Sequence, residues 1–353
     1  MQPSPKSPSA SMPGFLPLEI ANLKAQCPNC SSLVAPDLWT ERQFEFGPIH
    51  EIQDPKAGAW HRLSVGAVCQ CGTTVQIPTN YKKLDWRINF FGDESGRQMG
   101  DLEYIGYSLI GMRDAGVEKF RKNLIELKLK HVPGSNPEVW KIHTKDILNG
   151  RTRMVHGIYK QISDVAAFFN DCADLLSSMD DECIKVHAMG VIRPEFNKKE
   201  RRKSLNFALK TIHSAAISYA IYSSTHIGLK PKFVLDSIAP FKGDDHFEEW
   251  AQGTYLNSKR YLVHEYLSHC NDIECPKFVP PGSHACLEIA DFHAYMTARS
   301  IFKRVKNEQP ELPMGRLGRC NYMILDGPDG PDHYRGHDVP DKWINALRRR
   351  VRG

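Results

Sequence analysis

No apolar run in this 353-residue sequence approaches the ~20 residues needed to cross a bilayer, which excludes a helical membrane span. There is no Gly-rich phosphate loop of the nucleotide-binding types and no Gly-x-Ser-x-Gly elbow, so enzymes built on those turns are excluded as well. No internal repeat is present, which removes solenoids and propellers. The stretch Met1-Gln2-Pro3-Ser4-Pro5-Lys6-Ser7-Pro8 has no hydrophobic core for export, and residues 1–14 are expected to be a disordered Pro/Ser-rich leader. A cytoplasmic chain keeps its ten cysteines reduced, and reduced thiols in close pairs point to metal before disulfide.

What is present is an ordinary globular composition, 41% hydrophobic and 25% charged, sufficient for one large domain and a small one. The net charge of +5 is mild but unevenly placed. Lys198, Lys199, Arg201, Arg202 and Lys203 cluster at one expected helix start, and Arg348, Arg349, Arg350 and Arg352 crowd the C-terminus. Such patches suit a polyanion, and equally a solvated helix face and a frayed tail.

The small unit is expected over residues 15–80. Cys27-Pro28-Asn29-Cys30 and Cys69-Gln70-Cys71 lie 38 residues apart, and residues 63–68 and 73–77 flank the second pair as strand, turn, strand. Four thiolates bind zinc tetrahedrally, each pair wrapping the ion from a tight turn. The second pair has one intervening residue rather than two, which leaves His50 and His61 as substitutes for one ligand. A zinc here is structural, because four protein ligands leave no open position.

The larger unit is expected over 85–310. Strands at 86–91, 104–110, 183–189 and 231–236 alternate with helices at 115–130, 158–179, 199–226 and 247–267, which is an α/β pattern. Residues 139–147 begin as a short strand bearing His143, and 311–353 form an extension with a strand near 322–325 and a basic tail. His264, His269, Cys270, Cys275, His284 and Cys286 have no spacing that orders a second zinc, and the loop 326–332 does not fit an EF-hand.

Two stretches carry chemistry. Asp93-Glu94-Ser95-Gly96 ends an apolar strand, and Glu288 and Asp291, three residues apart, share one face of a helix that Ser283 is placed either to cap or to adjoin at the site edge. Asp236 ends a further apolar strand. Strands ending together can bring such carboxylates into one cleft. This pair of motifs resembles the family known as domain of unknown function 3800, whose members carry Asp-Glu-Ser-Gly at a strand end and Leu-Gln-x-Ala-Asp on a late helix. The resemblance covers about residues 86–305, with Glu288 standing where the family has Gln. It implies a ribonuclease H-like fold, a mixed sheet flanked by helices, and His143 as a site residue.

The resulting expectation is a magnesium- or manganese-dependent nuclease. Asp93, Asp236 and Asp291 would be metal ligands, Glu94 or Glu288 an outer ligand or base, and His143 a water- or phosphate-orienting group. Nucleic acid would be the partner, gripped by the zinc module and basic patches. The alternative is a non-catalytic zinc-ribbon protein that binds nucleic acid or a protein.

Overall fold

A computed structural model of the chain describes residues 25–34, 50–54, 58–79, 86–195, 197–226, 229–236, 249, 251, 275–280, 282–328 and 330–352. The expected leader, the second His/Cys cluster from His264 to Cys270, and all of the 247–267 helix but two residues lie outside them.

The N-terminal part is built of short antiparallel strands. β1 (Ala25–Gln26) pairs with β2 (Leu33–Val34) around the first cysteine knuckle. β3 (His50–Asp54), β4 (Gly58–Val68) and β5 (Thr74–Thr79) form a three-stranded sheet, with the second knuckle in the turn between β4 and β5.

The rest is organised on one seven-stranded sheet. Its strands are β6 (Trp86–Met99), β7 (Leu102–Met112), β8 (Cys183–Ile192), β9 (Leu229–Asp236), β10 (Lys277–Val279), β11 (Cys320–Ile324) and β12 (Asp332–Gly336). The spatial order is β10-β9-β6-β7-β8-β11-β12. β6, β7 and β8 form an antiparallel meander, while β9 lies parallel to β6, β10 to β9, and β11 to β8. The fold is therefore α/β, with a mixed sheet between helices.

The helices are α1 (Asp114–His131), the short α2 (Thr144–Leu148) and α3 (Gly150–Val155), α4 (Val165–Ser177), α5 (Lys198–His226), α6 (Ala285–Val305) and α7 (Asp341–Arg352). Strand alternation divides them between two layers. Phe91 and Ile110 point to one face, under Phe120 and Leu124 of α1, Phe168 and Phe169 of α4, and Ile289 and Phe292 of α6. Phe90, Leu109 and Phe233 point to the other, against Leu209, Ile212 and Ile217 of α5. Phe90 and Phe233 stack with ring centroids 5.4 Å apart. Each such buried aromatic contributes roughly 1.5–3 kcal/mol relative to exposure, so the Phe90-Phe91 dipeptide alone pins the sheet between its layers.

Three expectations are corrected. Residues 139–147 are not a strand: they run as irregular chain into α2. The 158–179 helix divides into a 3₁₀ turn at Tyr159–Gln161 and α4, because Asp164 caps α4 by accepting from the Ala167 amide at 2.9 Å. The stretch after 310 is not an appendage. β11 and β12 extend the sheet, and Trp343, Ile344 and Leu347 of α7 close a third apolar cluster with Ile301, Val305 and Tyr322.

Candidate functional site

β6 and β9 are parallel neighbours, in register from Trp86 opposite Leu229 to Gly92 opposite Leu235. The next residues are Asp93 and Asp236; β9 ends at Asp236, but β6 does not end at Asp93 as expected, because its pairing with β7 continues to Met99 opposite Leu102. Alternation puts both aspartates on the face of Phe91 and Val234, towards α6. α6 starts after His284, whose ring accepts from the Cys286 amide at 3.1 Å and stacks on Phe91 at 4.5 Å. The cap is thus His284 rather than Ser283, and the stacking ties the helix start to β6. One and a half turns later Asp291 meets the strand carboxylates.

The electrostatics of this group are unfavourable. Burial raises Asp93 well above the usual carboxylate range, and repulsion from Glu94, Asp291 and Asp236 raises it further. Glu94 is pushed up to about 7, chiefly by burial, with Asp236 and Asp291 adding to it. Burial also raises Asp291, against two hydrogen bonds from Thr144: its amide donates at 2.8 Å and its hydroxyl at 2.7 Å. Asp93 and Asp291 lie close enough for the charge of Asp291 to raise Asp93. Glu94 is adjacent in sequence but points to the opposite face, where its register partner is Tyr107. The Tyr107 hydroxyl is buried without a hydrogen-bond partner, in space left by Gly92, where a Cβ would stand 2.9 Å from it.

The remaining predicted residues separate. His143 is half exposed; its Nδ1 pairs with Asp146 at 2.6 Å, and its positive form favours ionised Asp291. Glu288 is turned away from the group. It forms an ion pair with Lys128 at 2.7 Å, with both side chains at most 3% exposed, and accepts from the Ile142 amide at 2.7 Å. Lys128 also donates to the Trp140 carbonyl at 2.9 Å and the Pro137 carbonyl at 3.1 Å. Glu288 and Lys128 therefore fasten the irregular 137–142 chain, which delivers His143 and Thr144 to the site. Lys128 was detectable in principle, since it lies four residues after Leu124 on the apolar face of α1.

Behind Asp93 runs a buried polar chain that sequence reasoning missed. Ser108, the register partner of Asp93, lies 2.6 Å from His187 Nδ1 and 2.9 Å from His293 Nδ1, and Tyr104 reaches His187 Nε2 at 2.7 Å. Burial lowers His187 to about 3 and His293 well below its ordinary value, which favours the neutral form of both rings. Gly106 makes room for this chain: a Cβ there would stand 2.6 Å from the Tyr104 hydroxyl.

The four N-terminal cysteines meet. The β1–β2 and β4–β5 turns bring Cys27 Sγ to 3.6 Å from Cys71 Sγ and Cys30 Sγ to 3.4 Å from Cys69 Sγ. All four sulfurs lie within 4.8 Å of one another. Thiolates ~2.3 Å from a tetrahedral zinc stand about 3.8 Å apart, so this cluster can hold a metal ion such as zinc without His50 or His61. Among the described residues, the carboxylates form no equally tight group.

The basic patches are partly engaged within the protein. Arg201 pairs with Glu103 at 2.7 Å, Lys203 with Glu200 at 2.8 Å, and Arg350 with Asp326. Among the described residues no helix is long and apolar enough to cross a membrane. Comparisons with family models, curated proteins and solved structures return no match.

Proposed function

We propose that this chain is a magnesium- or manganese-dependent nuclease of the ribonuclease H-like type. The observation that carries the reading is the carboxylate group where the end of β9 meets the middle of β6: burial raises Asp93, Glu94 and Asp291, and repulsion between carboxylates adds to Asp93 and Glu94. A meander of three antiparallel strands, with two crossover strands parallel to its first strand, supports the fold assignment. The motif resemblance to the domain of unknown function 3800 family supports it independently.

The donor set is all oxygen, which suits a hard divalent cation rather than zinc. Among the described residues the carboxylates form no group as tight as the thiols, and a pair of ions roughly 3.5–4 Å apart would draw its ligands from β6, β9 and α6. Asp93, Asp236 and Asp291 would hold the cations, which supply charge to activate a water and to stabilise the leaving oxygen of a phosphodiester. Thr144 holds the Asp291 carboxylate in place, and half-exposed His143 is positioned to meet phosphate or water. Glu288 acts at a distance, by anchoring the chain that carries both residues. The four-thiol module would bind a structural zinc and, with the basic residues left unengaged, contact nucleic acid.

Manganese titration by calorimetry tests the site, and manganese-dependent cleavage of single- and double-stranded DNA and RNA tests the activity. Wild type is expected to bind and cleave, and folded Asp93→Asn and Asp291→Asn to lose both. Cleavage undiminished in these variants overturns the assignment. If wild type binds manganese and cleaves none of the four substrates, the nuclease reading gives way to the non-catalytic zinc-ribbon binding protein.

A further inference from the structure

The opposite end of the sheet carries a second concave site. β6, β8, β9 and β11 all run in the same direction, and their first residues gather at the edge remote from Asp93 and Asp236. Between them and the start of α1 lies a cavity of about 500 Å³, within the range of small-molecule sites. Its walls divide by chemistry. Ile88, Leu229 and the ring of Tyr219 form an apolar side, while Arg113 and Arg319 stand on the polar side.

Three independent features there call for a ligand with particular groups. First, among the described residues neither the Arg113 nor the Arg319 guanidinium forms an ion pair or hydrogen bond. Second, α1 opens onto the cavity at Ala115 and Gly116, and its cap residue Arg113 offers no side-chain acceptor to the first-turn amides. Two guanidinium forks beside an uncapped helix start suit a phosphate. Third, Asn321 lines the cavity at 9% exposure, and its Oδ1 has no hydrogen-bond partner although its Nδ2 donates to the Lys185 carbonyl at 3.1 Å. A buried amide oxygen of this kind requires an N–H donor.

The acidic side chains in the wall do not cancel this. Asp180 is engaged by Lys185 and by the Arg319 amide at 2.8 Å, and Glu182 by Lys119 at 2.5 Å, which leaves Asp181 at the exposed rim.

We infer that this cavity binds a small phosphorylated molecule with a ring N–H donor, of the nucleoside monophosphate class. The phosphate lies between Arg113, Arg319 and the start of α1, the ring rests on Ile88, Leu229 and Tyr219, and an exocyclic or ring N–H reaches Asn321 Oδ1. This inference does not depend on the nuclease reading, because it uses none of the carboxylates.

Calorimetric titration of the full chain with each of the four ribonucleoside monophosphates, the four nucleosides and inorganic phosphate tests it. At least one monophosphate is expected to bind more tightly than its nucleoside and than phosphate. Arg319→Ala removes one charge-assisted contact from an exposed position and should weaken that binding about ten- to a hundredfold. Asn321→Ala should reduce discrimination among the four bases while leaving phosphate binding unchanged.

Absence of binding by all four monophosphates overturns the inference. Inorganic phosphate binding as tightly as the nucleotides overturns the nucleotide class. Binding that survives Arg319→Ala but is lost in Asp93→Asn assigns the ligand to the carboxylate end and overturns the second site. Thermal unfolding of each variant confirms that Arg319→Ala and Asn321→Ala are folded.

Discussion

The four thiols and the carboxylate group both concentrate negative charge, and the protein treats them in opposite ways. The thiols are drawn into a closed set within 4.8 Å by two tight turns, a geometry complete before any ion arrives. The carboxylates come from the middle of one strand, the end of another and a helix, are more widely spaced, and repel one another. Glu288, one turn before Asp291 on α6, shows a third treatment: its charge is answered from within the chain, by Lys128. A closed set stabilises a fold, whereas an open and repelling set costs stability and is retained where exchangeable charge is useful.

The largest expected effect comes from breaking the closed set. Removing the metal with a chelator, or Cys69→Ser, should unfold the β1–β5 region, since metal binding and folding are one equilibrium worth ~10–16 kcal/mol in small zinc modules. Hydrogen exchange would show protection lost over residues 58–79 and retained over 86–112. Unchanged protection at 58–79 would show that the thiols hold no structural ion.

Next is the compensated charge. Lys128→Met leaves buried Glu288 with only the more distant Lys141, at 3.9 Å, and should destabilise the main domain by roughly 3–5 kcal/mol, measured by urea unfolding. The double variant Lys128→Met with Glu288→Gln should recover much of that loss. If the single variant matches wild type, the fastening role assigned to this pair is wrong.

The smallest effect has the opposite sign. In metal-free protein Asp93→Asn removes a repelled carboxylate and should stabilise by about 0.5–2 kcal/mol. The pH dependence follows from the raised groups. An unfolded Glu94 ionises near 4.5 but the folded one only at about 7. Across that window the folded state holds a proton that the unfolded state has lost, so metal-free stability falls as pH rises. Thermal melts from pH 4.5 to 7 should show this slope, and saturating manganese should flatten it. A slope of the opposite sign would mean that the carboxylates are compensated in the folded protein.

The parts of this picture legible in the sequence are those with a local signature. Asp236 ends an apolar strand and Asp93 follows an apolar run, although its strand continues to Met99; Asp291 shares a helix face with Glu288, and the cysteine pairs announce their turns. What stayed hidden depends on partners far apart in the chain. Glu288 is set apart from Asp291 by Lys128, 160 residues earlier, and the Ile142 amide, 146 residues earlier, with Lys141 at 3.9 Å. No helical period encodes such a meeting. Thr144 escaped for the same reason, and 139–147 was misread because a Val-Trp-Lys-Ile run resembles a strand until its Trp140 carbonyl is seen to accept from Lys128. The Tyr104–His187–Ser108–His293 chain is scattered over three elements, and each residue alone resembles an ordinary core position.

The late position of β11 has a consequence for how the protein is made. β8 is complete by Ile192, yet the strand that covers its outer edge begins only at Cys320. A growing chain on the ribosome must therefore carry an unpaired, largely apolar strand edge through more than a hundred residues of further synthesis. Such an edge pairs readily with another chain. A chain cut near residue 310 would keep every carboxylate of the candidate site and still be prone to aggregate along β8.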